Sequence, residues 1–183
     1  MNNTQISEEK ISVVRPAIDT GLFSSPAPVK ELEKYGVSKP YLLFVGQQGS
    51  KKNVEVLLRS LELLTRKGNN DLDLVVAGKP GNMLQSVRTR WFAKKYGVEE
   101  RIVQTGYVSN EMLARLYHSA SVFVFPSKYE GYGRPPLEAM STGTPVVSTS
   151  ATAVPEIVDD AAILCDPEKP TEWANAIARL LNN

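Results

Sequence analysis

One cysteine and one histidine stand in a chain of 183 residues. A single thiol excludes an internal disulfide and fits a reducing compartment. With so few soft ligands, no His/Cys cluster has the spacing of a transition-metal site. Long apolar runs are missing as well. No stretch of about 18 apolar residues occurs, so the sequence predicts no transmembrane segment. The opening Met1–Ile6 stretch is polar and lacks the apolar core of a signal peptide, which points to a cytoplasmic protein. Neither sign of charge is in excess, since 21 Lys and Arg face 20 Asp and Glu. That balance gives no reason to expect a nucleic-acid partner or attraction to an anionic membrane. There is no internal repeat, and no Gly-x-Gly-x-x-Gly follows the first apolar run, which argues against a dinucleotide cofactor.

What is present is an alternation. The length suits one domain with a sizeable core. Residues 1–10 form a polar lead-in, Ile11–Val14 a short apolar run, Arg15–Phe23 a turn-rich segment, and 24–40 a Pro-rich, polar stretch with a short helix at Val29–Tyr35. From Tyr41 onward, apolar runs predict strands at 41–46, 72–77, 101–105, 121–125, 145–148 and 161–164. Between and after them, spacing of three and four residues predicts helices at 53–67, 82–96, 110–119, 135–142, 154–159 and 171–181. Strands separated by helices of this length imply right-handed crossovers and a parallel sheet covered on both faces. The expected fold class is a doubly wound α/β domain. Its ligands bind beyond the C-terminal ends of the strands, where loops 46–53, 78–81, 106–110 and 126–134 converge.

The most informative of these loops is Pro126-Ser-Lys-Tyr-Glu130-Gly-Tyr-Gly-Arg-Pro-Pro-Leu-Glu138. Gly131 and Gly133 let the backbone turn and approach a ligand. Pro135 and Pro136 suit the first turn of a helix, which carries Glu138. The two carboxylates, with seven residues between them, can accept hydrogen bonds from neighbouring hydroxyls of a sugar or ribose. Loop amides and the helix start favour an anion. Taken alone, Glu130 reads more readily as an ordinary cap and Glu138 as a solvated helix residue; the whole stretch together does not. A second loop, Gly46-Gln-Gln-Gly-Ser-Lys51-Lys52-Asn53, sets two cations beside a helix N-terminus, which suits a diphosphate; a solvated loop with two lysines is an even alternative.

Glu130 through Glu138, with Phe-Pro-Ser before it and Glu-Ala-Met…Gly-Thr-Pro-Val-Val after it, resembles the E-x7-E motif of family 4 retaining glycosyltransferases, also called glycosyl transferases group 1. These enzymes have the GT-B fold, two Rossmann-like halves facing one another. The resemblance covers the chain from about Ile11 and implies the C-terminal, donor-binding half. Residues 1–40 would then be lead-in and interdomain connector, and 41–183 the nucleotide-sugar-binding domain. By that match Glu130 would hold the sugar hydroxyls, Glu138 the ribose hydroxyls, and Lys52 the departing diphosphate, with Gly131, Tyr132 and Gly133 lining the donor loop. Lys51 stands where Arg is usual and lacks its bidentate fork. Gln47 stands where many members carry Arg, and Arg134, at a position more often hydrophobic, would compensate. Tyr107 and Val108 would flank the nucleotide base.

The resemblance implies transfer of a sugar from a nucleotide sugar to a glycan, lipid or small-molecule acceptor hydroxyl, with retention and without a metal or other cofactor. The N-terminal GT-B domain would be the partner, and any membrane association would pass through it. Two alternatives stay open. One is a non-catalytic module that binds a nucleotide sugar or a partner domain. The other is a nucleotide-sugar epimerase on the same fold, against which the E-x7-E arrangement argues. Asp71-Leu-Asp73 is formally a D-x-D metal motif, but it enters a strand at the end opposite the site. His118 and Cys165 sit in apolar patterns and read as structural.

Overall fold

A computed structural model of the chain describes residues 7–14, 16–23, 29–38 and 40–182. Residues 1–6 of the expected 1–10 lead-in and 24–28 of the Pro-rich 24–40 stretch lie outside the described residues. Six strands form one sheet: β1 (Tyr41–Val45), β2 (Asp73–Ala77), β3 (Ile102–Gly106), β4 (Val122–Phe125), β5 (Val146–Thr149) and β6 (Ile163–Cys165). All neighbouring pairs are parallel, in the order β3-β2-β1-β4-β5-β6. The helices are α1 (Thr20–Phe23), α2 (Val54–Arg66), α3 (Met83–Lys95), α4 (Asn110–Ser119), α5 (Arg134–Ser141), α6 (Val154–Val158) and α7 (Pro170–Leu181).

Alternation along each strand divides the core in two. Leu42, Phe44, Leu74, Val76, Val122 and Val124 face a layer that includes α2 and α7, where Leu57, Leu61, Trp173 and Ile177 are fully buried. Leu43, Val75, Phe123 and Phe125 face the opposite layer, with Leu116 and Tyr117 of α4 and Ala139 of α5. A sheet dry on both faces needs such near-continuous apolar strands, and β1, β2 and β4 supply them. Phe23, Leu32 and Val37, from the segment before β1, also pack into this second layer. The Val29–Tyr35 segment is a 3-10 helix.

Boundaries differ from the sequence expectation by one or two residues at most elements. The largest change of form is ahead of β6. Asp159 adopts φ 47° and starts a 3-10 turn over Asp159–Ala161, so the strand begins at Ile163 rather than Ala161. The order reverses between β1 and β4: chain connections leave β1 toward β2 and β3 on one side and reach β4, β5 and β6 on the other. The loops after β1 and β4 therefore diverge and open a crevice at their C-terminal ends.

Candidate functional site

Loop 46–53 leaves β1 and loop 126–133 leaves β4, so the two lysines and Glu130 meet at that crevice. Lys52 Nζ lies 2.5 Å from Glu130 Oε1, and both side chains are mostly shielded, at 28% and 15% exposure. The ammonium also sits 5.5 Å from the centre of the Phe125 ring. Lys51 reaches over the Tyr129 ring at 5.3 Å, on the exposed side of the same crossing. The backbones are tied directly, since Lys128 N–H donates to Lys51 O at 2.8 Å.

Asn53 holds this crossing together. Its backbone is left-handed, with φ 53°, at the start of α2. Its amide Nδ2 donates to Pro126 O at 3.2 Å and to Pro167 O at 2.8 Å. One short polar side chain thus joins the exits of β1, β4 and β6, and asparagine tolerates the left-handed backbone better than most residues. The neighbouring strand exits are packed by close backbone approach. Gly78 has φ 131°, and a Cβ there would stand 2.6 Å from Gly46 O. Gly46 N–H donates to Ala77 O and Gly78 N–H to Gly106 O, at 2.9 and 2.8 Å.

Glu130 is oriented from behind, its N–H donating to Thr152 Oγ1 at 3.2 Å. Gly133, with φ 99°, turns the chain into α5. Because Pro135 and Pro136 lack N–H groups, the start of α5 presents free amides only from Gly133 and Arg134. Anion-binding capacity here falls on the loop amides of 131–133 and on the Arg134 side chain. Arg134 is exposed and lies 3.6 Å from Glu138 Oε1. Glu138 is itself buried, and its Oε2 accepts a 3.0 Å hydrogen bond from the Tyr117 hydroxyl. Burial, reinforced by the neighbouring Glu138 carboxylate, pushes the Tyr117 hydroxyl well above its ordinary pKa, so it remains a donor. The Tyr132 hydroxyl donates to Pro16 O at 3.1 Å.

The remaining sequence candidates fall at the rim. Gln47 and Tyr107 are exposed, whereas Val108 is buried in the second core layer. Gln48, next to Gln47, is the buried one, at 4% exposure, and its N–H donates to Lys79 O at 3.3 Å. Behind loop 46–53 lies a groove of about 570 Å³, lined by Gln48, Lys51, Asn82, Gln85 and Arg88 among others. Neither Glu130 nor Glu138 lines it. Asp71 and Asp73 sit at the start of β2, at the opposite edge of the sheet.

Tyr117, Thr152 and the ties of Asn53 were not singled out in the sequence. A tyrosine on an apolar helix face needs a partner for its hydroxyl, which was a usable signal. Nothing in Ala151-Thr-Ala marked Thr152 as the residue that holds Glu130.

The geometry has counterparts. The family model described as glycosyl transferases group 1 matches residues 30–183. The chain is 38% identical over 138 residues to O-antigen chain mannosyltransferase B of Escherichia coli, a match covering 74% of this chain and 35% of that protein. The chain thus spans about a third of that relative's length. Among solved structures, the C-terminal domain of a glycosyl transferase group 1 family protein (LpcC) from Francisella tularensis superposes with a TM-score of 0.75 at 24% identity, covering 91% of this chain and 89% of that one. The Anabaena protein Alr3699/HepE, solved in complex with UDP and glucose, gives a TM-score of 0.80 at 20% identity, over 91% of this chain and 46% of that one.

Proposed function

This chain belongs to the glycosyl transferases group 1 family, and we propose that it forms the donor-binding half of a retaining, metal-independent glycosyltransferase. The observation that carries the reading is the Lys52–Glu130 crossing at the point where the sheet order reverses, with buried Glu138 on the helix that follows. The UDP bound by the Anabaena relative supports a nucleoside diphosphate as the leaving group here.

The chemistry follows from charge. Breaking a glycosyl–phosphate bond builds negative charge on the diphosphate and oxocarbenium character on the sugar. Lys52, the amides of 131–133 and the Arg134 side chain stabilise the departing diphosphate. Glu130 orients sugar hydroxyls beside that bond. Glu138, fixed by Tyr117, accepts from the ribose hydroxyls. Acceptor binding and exclusion of water fall to the N-terminal half of the enzyme, so the chain alone binds donor and transfers little.

Calorimetric titration with UDP, GDP, ADP and their sugar conjugates tests this. One nucleotide binds selectively, and Glu138→Gln, which keeps an acceptor for Tyr117, weakens it about tenfold, as expected for losing charged hydrogen bonds to the ribose. Binding of none of them, by a chain whose circular dichroism is native, would remove the donor-site assignment.

A further inference from the structure

A second surface carries chemistry that the sugar-transfer reading does not use. Helix α3 buries only Ala93. Its exposed residues are Met83, Leu84, Val87, Arg88, Arg90, Trp91, Lys94 and Lys95, and every one is apolar or cationic. Met83, Leu84, Val87 and Trp91 are 86, 76, 61 and 56% exposed. No acidic residue occurs on the helix, although the whole chain carries a net charge of only +1, so the rest of the molecule is net negative.

At 100° per residue the outward face is ordered. Met83, Val87, Trp91 and Leu84 fall in one apolar sector. Arg90 edges it on one side and Arg88 and Lys95 on the other, and Lys94 projects into the same sector in the last turn of the helix. Met83, Val87, Arg90, Trp91 and Lys94 line a shallow groove of about 510 Å³, with Glu99 at its border. Arg88 pairs with Glu55, and Lys95 lies 5.0 Å from the Trp91 ring centre. Arg90 and Lys94 have no acidic partner among the described residues.

We propose that α3 is a docking surface for an anionic lipid bilayer, with its apolar sector inserted among the headgroups and its cations on the lipid phosphates. An apolar strip edged on both sides by Lys and Arg, with a tryptophan among its apolar residues, has the composition of an interfacial helix. Charge complementarity selects an anionic surface. The four exposed large apolar side chains favour a bilayer over a wholly polar polyanion. The contact is peripheral: among the described residues no helix is long and apolar enough to cross a membrane. It also differs from attachment through another domain, because it belongs to this chain.

The two tryptophans make the test direct, since Trp173 is fully buried and only Trp91 is exposed. Vesicles of equal parts phosphatidylcholine and phosphatidylglycerol shift the emission of the 183-residue chain to the blue and co-sediment with it. Phosphatidylcholine vesicles do neither, and raised salt reverses the effect. The Arg90→Glu/Lys94→Glu variant binds at least about 25-fold more weakly, at about fivefold per lost cation, while Arg90→Lys/Lys94→Arg binds as the parent does. Four outcomes overturn the proposal: no shift with anionic vesicles, equal binding by the charge-reversed variant, a shift produced by protein concentration alone, which identifies a second copy as the occupant, or a shift with polyglutamate but not with vesicles, which identifies an acidic protein surface.

Discussion

Replacing Glu130 with glutamine should tighten binding of the bare nucleoside diphosphate. In the free protein Lys52 is occupied by Glu130 at 2.5 Å, so an incoming diphosphate competes with a carboxylate for the same ammonium. The bare Coulomb attraction at that distance runs from about 2 kcal/mol in bulk water to about 7 kcal/mol at the effective dielectric of a protein surface. Desolvation and side-chain ordering offset most of it. For a pair at 28% and 15% exposure, about 1 kcal/mol, the upper end for surface pairs, is the appropriate net value. Glu130→Gln keeps the shape and removes the charge, so nucleoside diphosphate affinity rises about fivefold. The gain shrinks as salt screens the pair. The nucleotide sugar behaves oppositely relative to the diphosphate, because the variant loses the carboxylate that receives sugar hydroxyls. Parallel calorimetric titrations with diphosphate and sugar conjugate, at two salt concentrations, read both effects. A natively folded variant that binds the diphosphate no better than the parent would refute the competition argument.

Two further outcomes concern stability. Gly78→Ala combines backbone strain at φ 131° with a Cβ 2.6 Å from Gly46 O, which hydrogen bonding holds in place. It should cost about 2–6 kcal/mol in urea unfolding, more than Gly68→Ala, where φ is 97° but nothing lies within 4 Å. Equal costs for the two would show that the strand exits are not tightly apposed. Burial, with Glu172 nearby, pushes the Cys165 thiol up to about 11. The folded state therefore keeps its proton while the unfolded chain loses it, and stability present below about pH 9 is lost as the pH rises toward 11, by up to about 2 kcal/mol. Cys165→Ala removes that component of the alkaline slope, read by urea unfolding at stepped pH. An unchanged slope would count against a buried thiol.

Much of this molecule was legible in the sequence because its strands are buried on both faces. Tyr41–Val45 and Val122–Phe125 announce themselves as apolar runs, and the helices between them carry clear spacing. The loop positions of Lys52, Glu130 and Glu138 followed from that alternation and from the glutamate spacing. Pairings across the chain were not legible. Lys52 and Glu130 are 78 residues apart, and only the order of the sheet brings them together. The Tyr117 hydroxyl finds Glu138 through packing of α4 on α5, which periodicity cannot register. The outward face of α3 was hidden for another reason. Averaged over the chain, its four cations vanish into a balanced composition, and only the three-dimensional arrangement sets them together beside exposed apolar residues.

The order of the sheet also has a consequence for how the chain is made. β1 lies at the centre and is synthesised first, and β2 and β3 extend the sheet on one side of it. Its other edge waits for β4, which begins roughly 75 residues later and takes on the order of 4–15 seconds to emerge at ordinary rates of translation. During that interval the nascent chain displays an open apolar edge in what becomes the most buried part of the sheet, a template for pairing with other chains.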